Sequence, residues 1–340
     1  MQQITAAADA HIKGRFNKEI GAYKKKVISL EKSMLNHDVN PEVAFKRMKR
    51  LTDSLIMSGE RITSSYDKAK KKEFKKWFRE QLKDHIYKGG LIRRGFEKPR
   101  GYAGDYLTIE SAYDNVPWSK LGIGFFWDKY MLTDAYIESV RRRKDTIKRI
   151  LRGFLESSRG EKRILNMGSG SGRELRELFT EGVQYKDKVT FNLLDQDKDS
   201  LDFIDAEMSC TVKYPTVHCH FIKENILLFV RKIDKYIKEL GKQDLVYSIG
   251  VADYLPDILC DAMFKQCYKI LKKGASFYIA FKLVKKYKSY GSDWCCDWNF
   301  YERSEKDIER LIKESLPTKS YKMKKWYADE RIVFYEIKKK

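Results

Sequence analysis

The hydrophobic period of the chain changes near residue 160. Before it, apolar residues recur at helical spacing. Val43, Phe45, Met48, Leu51, Leu55 and Ile56 follow Asn40-Pro41, a pair with cap-then-first-turn chemistry. Ser65 is the expected cap of a second helix carrying Phe74, Trp77, Phe78, Leu82 and Ile86, which Gly89-Gly90 stops. Residues 89–127 have no clear period and are rich in Gly, Pro and aromatics. A long amphipathic helix is expected over 128–157. Ser157-Ser158-Arg159-Gly160 then marks a boundary, giving a helical region over 1–158 and a second domain over 159–340.

Beyond the boundary, short apolar runs at 163–167, 188–194, 216–222, 243–249 and 275–282 alternate with helical segments starting near 172, 197, 225 and 257. Ser304 and Asp307 have the spacing of a capping box. Two last strands, 319–327 and 330–337, flank Ala328-Asp329-Glu330. This alternation predicts an α/β fold of right-handed βαβ units, with a parallel sheet covered on both faces and an antiparallel hairpin at one edge.

Composition narrows the class. The 340 residues include 42% hydrophobic and 13% aromatic residues, enough for a sizeable core and against disorder along the whole chain. No run of about 18 apolar residues occurs, so no transmembrane helix is expected. The opening Met-Gln-Gln-Ile-Thr lacks the basic and apolar parts of a signal peptide. Six cysteines without a CxxC pair make no disulfide framework and no recognisable zinc site, so the expected setting is the cytoplasm. The formal net charge is +21, and residues 1–150 hold 33 Lys+Arg against 19 Asp+Glu, leaving 36 against 29 for the rest. Runs such as Lys24-Lys25-Lys26, Lys70-Lys71-Lys72 and Arg141-Arg142-Arg143-Lys144 read first as solvated helix faces. Nucleic acid, an acidic carrier or an anionic membrane surface are the other partners such charge fits.

The strand Ile164-Leu165-Asn166-Met167 runs into Gly168-Ser169-Gly170-Ser171-Gly172 and then a helix. Such a turn lets the backbone pass close to a ligand seated near a helix N-terminus, at the carboxyl end of the strand. The spacing lacks the Gly-Lys-Ser/Thr ending of a P-loop. The next strand ends in Leu194-Asp195-Gln196-Asp197, and a carboxylate there can accept both hydroxyls of a ribose. Asp195 and Asp197 both qualify, with Asp195 nearer the strand tip. His218 and His220 share one strand face, but no third ligand is evident and no metal is expected. Cys295-Cys296 reads as a buried pair of thiols.

These motifs resemble those of class I S-adenosylmethionine-dependent methyltransferases. The resemblance implies a Rossmann-like seven-stranded sheet of order 3-2-1-4-5-7-6 behind the helical N-terminal region, with S-adenosyl-L-methionine as cofactor. It sets Gly168, Ser169, Gly170, Gly172, Asp195, Gln196 and Asp197 against the cofactor. Asn225 and Ile226 would lie beside the adenine, and Ser248, Ile249 and Gly250 would face the methionine part.

Further blocks narrow the likeness. Lys98-Pro99-Arg100-Gly101-Tyr102-Ala103-Gly104-Asp105, Ser169–Glu174, Leu194–Asp197, Ser248–Leu255, and Asp297-Trp298 with Arg303 are similar to KPRGYAGD, SGPGRE, LDQD, SAGLFDYL and DWxLxYR. Those blocks mark a bacterial family of 3-hydroxy-fatty-acid methyl ester synthase-like proteins, and the likeness covers about residues 95–310. Ser171 departs from the family's Pro, Ala280 from its Asn and Glu302 from its Tyr. The resemblance implies Tyr102, Asp105, Tyr106 and Asp253 as catalytic, and Arg100, Tyr254, Asp297, Trp298, Tyr301 and Arg303 as substrate contacts.

The expected activity is methyl transfer to a small molecule, with the carboxyl group of an acyl substrate as one acceptor. An ionised carboxylate needs orientation by cations or hydroxyls and no general base; an amine or alcohol would need Asp105, Asp253 or Asp297 to take its proton. One rival is an RNA or DNA methyltransferase that uses the basic N-terminal region. The loop Ser248–Asp253 lacks the Asn/Asp-Pro-Pro-Tyr/Phe form of one such class. The other rival is a non-catalytic module that senses the cofactor.

Overall fold

The computed structural model describes residues 2–211, 215–283 and 291–340. They divide into two compact units. One comprises the described residues within Met1–Gly104, Asp114–Ile137 and Lys288–Trp298; the other comprises those within Asp105–Tyr113, Glu138–Tyr287 and Asn299–Lys340.

The first unit is helical. Its elements are α1 (Gln2–Leu35), α2 (Pro41–Ile62), α3 (Lys68–Ile86), α4 (Gly90–Glu97) and α6 (Gly122–Leu132). Asn40 caps α2 as its sequence predicts, its side chain accepting the Glu42 amide at 2.9 Å. The cap of α3 is Asp67 rather than Ser65, through the Lys70 amide at 2.8 Å. That helix ends at Ile86, capped by Tyr87, ahead of Gly89-Gly90, which instead start α4. The helix expected over 128–157 is broken into α6 and α7 (Ala135–Ser157). Asp134 causes the break, its carboxylate accepting the Tyr136 amide and the Gly291 amide, each at 2.9 Å. Phe16, Phe74 and Phe78 form the core with Trp294, which lies in a π-helical turn, Gly291–Cys295. The Trp294 ring presses on mid-helix Gly59 so closely that a Cβ there would stand 2.4 Å from its Cη2, so only glycine fits.

The second unit holds the sheet. Strands β1 (Lys162–Met167), β2 (Val189–Asp195), β3 (Val217–Lys223), β4 (Gln243–Ser248) and β5 (Leu271–Lys282) are parallel. The hairpin of β6 (Tyr321–Asp329) and β7 (Ile332–Lys339) adds antiparallel strands beside β5. The order is β3-β2-β1-β4-β5-β7-β6, the one expected of the methyltransferase-type Rossmann-like fold.

Both faces of the sheet are buried along β1, β2, β4 and β5, which is why those parallel strands read as apolar runs, whereas the edge strand β3 alternates and is largely half-buried or exposed. Ile164, Leu193, Leu245 and Tyr247 pack under α7, α8 (Arg173–Thr180) and α9 (Lys198–Thr211). Leu165, Met167, Val246 and Phe277 pack under α10 (Ile226–Arg231), α11 (Ile233–Leu240), α12 (Asp257–Ile270) and α13 (Glu305–Ser315). The Ser304–Asp307 capping box opens α13 as predicted. Strand β5 starts earlier than its apolar run, because α12 passes directly into it at Leu271.

Candidate active site

The strand order reverses between β1 and β4, and their carboxyl ends therefore form the crevice where open α/β sheets take ligands. The glycine loop leaves β1 at this point. Gly168, Gly170 and Gly172 all have positive φ, at 78°, 53° and 59°. Gly168 is needed for space as well, since a Cβ would come 2.2 Å from Val251 Cγ2. Gly170 is the opposite case: nothing lies within 4 Å of its Cβ position, so that side of the loop is open. The loop is pinned by the Gly168 and Ser169 amides, which donate to Leu194 O at 2.9 and 3.0 Å.

Asp195, at the tip of β2, is buried and accepts two backbone amides, from Gly170 at 2.9 Å and from Asp197 at 3.0 Å. Burial pushes its carboxyl above the ordinary value, against the opposing pull of those donors. The second candidate, Asp197, turns its Oδ1 to the Asp199 amide at 3.1 Å, in the first turn of α9. Gln196 and Asn225 meet across the ends of β2 and β3, Asn225 Nδ2 donating to Gln196 Oε1 at 2.9 Å. Asn225 also caps α10 through the Leu227 amide at 2.9 Å, and Ile226 follows it half-buried.

At the end of β4, Ser248 is fully buried and its hydroxyl donates to Met167 O at 2.9 Å, tying β4 to β1 just before the glycine loop. Ile249 is buried in the sheet core, and Gly250 lies against Arg143, whose Nη2 would be 3.3 Å from a Cβ there. Asp253 is buried. Its Oδ1 accepts the Lys282 amide at 3.0 Å, and Arg143 Nη1 lies 3.8 Å from its Oδ2. Burial raises its carboxyl above the ordinary value, opposed mainly by the Arg143 charge. Its backbone carbonyl accepts the Tyr301 amide at 2.8 Å. Tyr254 packs on Phe300 with ring centroids 5.3 Å apart, and Tyr301 is half-exposed.

Arg303 is 3% exposed. Its Nε and Nη2 reach Asp257 Oδ1 at 3.0 and 2.9 Å, its Nη1 reaches Ala252 O at 3.1 Å, and its Nη2 also donates to Leu255 O. It therefore clamps the loop around Asp253.

Asp105 and Tyr106 also belong to the second unit. Asp105 is buried and accepts the Thr108 amide at 2.9 Å, at the start of α5 (Tyr106–Asp114). Tyr106 packs on Phe203 of α9 at 5.4 Å. Glu110 of α5 accepts Arg173 at 2.6 Å and also pairs with Arg176, holding α5 to the helix that follows the glycine loop.

The remaining candidates lie in the first unit. Arg100 and Tyr102 are half-buried, the first within and the second just after a turn closed by the Gly101 amide on Lys98 O at 2.7 Å. Asp297, at φ 50°, lies 3.6 Å from Arg79 and 3.8 Å from Lys98, and Trp298 packs edgewise on Tyr136 at 5.0 Å.

Sequence reasoning missed Arg143 and Glu174. Arg143 and Lys144 are buried, contrary to the solvated face read from their basic run. The available signal was position: Arg143 lies on the helical stripe of Val140, Ile147 and Leu151, all buried. Glu174, also buried, accepts Asn166 Nδ2 at 3.1 Å and the Tyr247 hydroxyl at 2.8 Å, joining β1, β4 and α8 beneath the loop. Burial raises its carboxyl above the ordinary value.

No known family model and no curated protein sequence matches the chain. Among solved structures it is similar to a possible exported protein from Bordetella parapertussis, at 12% identity and TM-score 0.53, over 73% of this chain and 86% of that one. It is also similar to magnesium protoporphyrin IX methyltransferase from Synechocystis with bound SAM, at 12% identity and TM-score 0.42, over 61% and 84% of the two chains. A third is the N-methyltransferase NodS from Bradyrhizobium japonicum in complex with S-adenosyl-l-homocysteine, at 16% identity and TM-score 0.41, over 69% and 97%. The likeness is one of fold.

Proposed function

We propose that this chain is an S-adenosyl-L-methionine-dependent methyltransferase acting on a small molecule in the cytoplasm, with the carboxyl oxygen of an acyl substrate as the acceptor. The observation that carries the reading is the glycine loop bonded through the Gly170 amide to the buried Asp195, at the switch point of the sheet. The residues present fit the cofactor. The space beside Gly170, where a Cβ would stand, is open to a ligand, and the Asp195 carboxylate, held by main-chain amides, keeps acceptor capacity for a ribose hydroxyl. When bound, the cofactor supplies an electrophilic methyl group on a sulfonium.

The chain's own residues hold and orient. Gly168, Ser169, Gly170 and Gly172 provide the backbone surface, Gln196, Asn225 and Ile226 the adenine side, and Ser248, Ile249 and Gly250 the methionine side. Asp197 serves chiefly as the helix cap described above. A carboxylate acceptor needs no base, only hydroxyl or cation donors to orient it; Tyr254 and Tyr301 are the candidates in the sheet-bearing unit, Arg100 and Tyr102 those in the helical one. Asp297 and Trp298 shape the substrate side, and Arg303 acts through the loop it clamps. For an amine or alcohol acceptor, Asp253 is the carboxylate whose raised pKa suits proton uptake. Asp105 acts by capping the helix that carries Tyr106. The helical region over 1–158 is the lid or substrate chamber in this reading.

The test is mass spectrometry of cell extract incubated with the enzyme and methyl-labelled cofactor. A labelled ester, cleaved by mild alkali, is the expected product. A base-stable labelled product would move the acceptor to nitrogen or carbon. Cofactor binding without any enzyme-dependent transfer would leave only the sensing role.

A further inference from the structure

We infer that the trough between α1 and α2 docks an acidic, amphipathic helix of a partner protein. The inference concerns the first unit alone and does not rest on the methyl-transfer reading. The trough has a volume of about 480 Å³ and is lined by Lys26, Ser29 and Leu30 from α1 and Arg47, Arg50 and Leu51 from α2. Each trio has the spacing i, i+3, i+4, so a single turn of each helix faces the trough. Leu30 and Leu51 are half-buried, while Lys26, Arg47 and Arg50 are exposed.

The charge here is uncompensated. Among the described residues, none of these three cations has an ion-pair partner. The acids that flank them are committed elsewhere: Glu31 to the Ile123 amide at 2.9 Å, Glu42 to Lys129, and Asp53 to Lys49 at 2.7 Å. Glu19, two turns before Lys26, lies outside the lining. Apolar surface continues along the same face of α2, where Val43 and Met57 are 43% and 48% exposed at helical spacing from Arg47 and Arg50.

An apolar line flanked by cations complements a helix with an apolar ridge and acidic flanks. The trough is open along its length, which suits such a ridge better than an enclosed small molecule. It has no aromatic lining on which nucleic-acid bases could stack, and its leucines would meet phosphates.

The experiment uses the full chain and fluorescence anisotropy with three probes. They are a short helical peptide with leucines on one stripe and glutamates beside it, a scrambled peptide of the same composition, and a single-stranded RNA oligonucleotide. The helical peptide is expected to bind at least about tenfold tighter than the scrambled one, and to weaken as salt rises. Arg47→Glu with Arg50→Glu is expected to remove that binding, while Lys24→Glu with Lys25→Glu, off the trough, leaves it. Circular dichroism and thermal melts confirm that both variants fold. Equal binding of the scrambled peptide, RNA binding without peptide binding, or unchanged affinity in the Arg47/Arg50 variant would each overturn the inference.

Discussion

Two buried carboxylates, Asp195 at the tip of β2 and Asp253 in the turn after β4, are held in opposite ways. Asp195 is fixed by main-chain amides, among them those of Gly170 and Asp197. Asp253 accepts the main-chain amide of Lys282 and faces the buried guanidinium of Arg143, whose charge leads those of Lys282 and Arg303. The first arrangement is set by backbone geometry and leaves acceptor capacity for a ligand. The second is a side-chain pair in which each member balances a charge the other has brought into the interior. Burial raises the pKa of both, so the difference lies in what answers that cost.

The largest expected effect breaks the second arrangement. Arg143→Met should cost about 3 kcal/mol in urea unfolding, because it leaves the Asp253 carboxylate buried without its cation. Arg143→Met with Asp253→Asn should recover part of that loss. A cost under about 0.5 kcal/mol for the single variant would show that the pair is not what holds the loop.

The first arrangement should respond in binding rather than in folding. Asp195→Ala is expected to weaken S-adenosyl-L-methionine by about 100-fold in calorimetry, near 2.7 kcal/mol. Asp197→Ala should cost about 1 kcal/mol of stability through the lost helix cap, with affinity nearly kept. If the affinity loss instead follows Asp197, the ribose contact belongs to that residue.

A pair of glycines sharpens the same contrast. Gly168→Ala should destabilise by about 2 kcal/mol, since positive φ and the Val251 contact both oppose a Cβ. Gly170→Ala, with space around it, should cost about 1 kcal/mol but obstruct the cofactor. Equal losses of stability with no change in binding at Gly170 would argue that the open side of the loop is not a ligand surface.

The smallest effect concerns Glu174. Its folded-state pKa is raised, so ionisation disfavours the native state. The associated stability is full below the unfolded carboxyl pKa and is lost as pH rises through the higher folded value. Glu174→Gln keeps an acceptor for Asn166 and Tyr247 and removes the titration. Its melting temperature relative to the parent should therefore increase from acidic to neutral pH by a few degrees. A difference that does not vary with pH would locate the titration elsewhere.

What was legible in the sequence depended on how far a residue's partner lies along the chain. Gly168–Gly172, Asp195 and the Ser304–Asp307 box are read from neighbours within a turn or a strand, and the structure places each at an element boundary. The break at Asp134 was not legible, because it is stabilised by the amide of Gly291, far along the chain. Arg143 was hidden in a basic run, since periodicity marks a buried stripe but not which cation can enter it. The guanidinium of Arg303 meets carbonyls some fifty residues away, which local pattern could not show.

The edge strand β6 gives part of the positive charge a separate use. Lys322 and Lys324 project as exposed alternate residues from a strand whose outer side, among the described residues, pairs with no other strand of the sheet. A sheet edge is a template on which a second chain can add, and repeated lysines make that addition unfavourable by bringing like charges together. In concentrated solution, neutral residues at these two positions would convert a self-repelling border into an adhesive one. The protein would then be lost to edge-to-edge aggregation before its fold was affected.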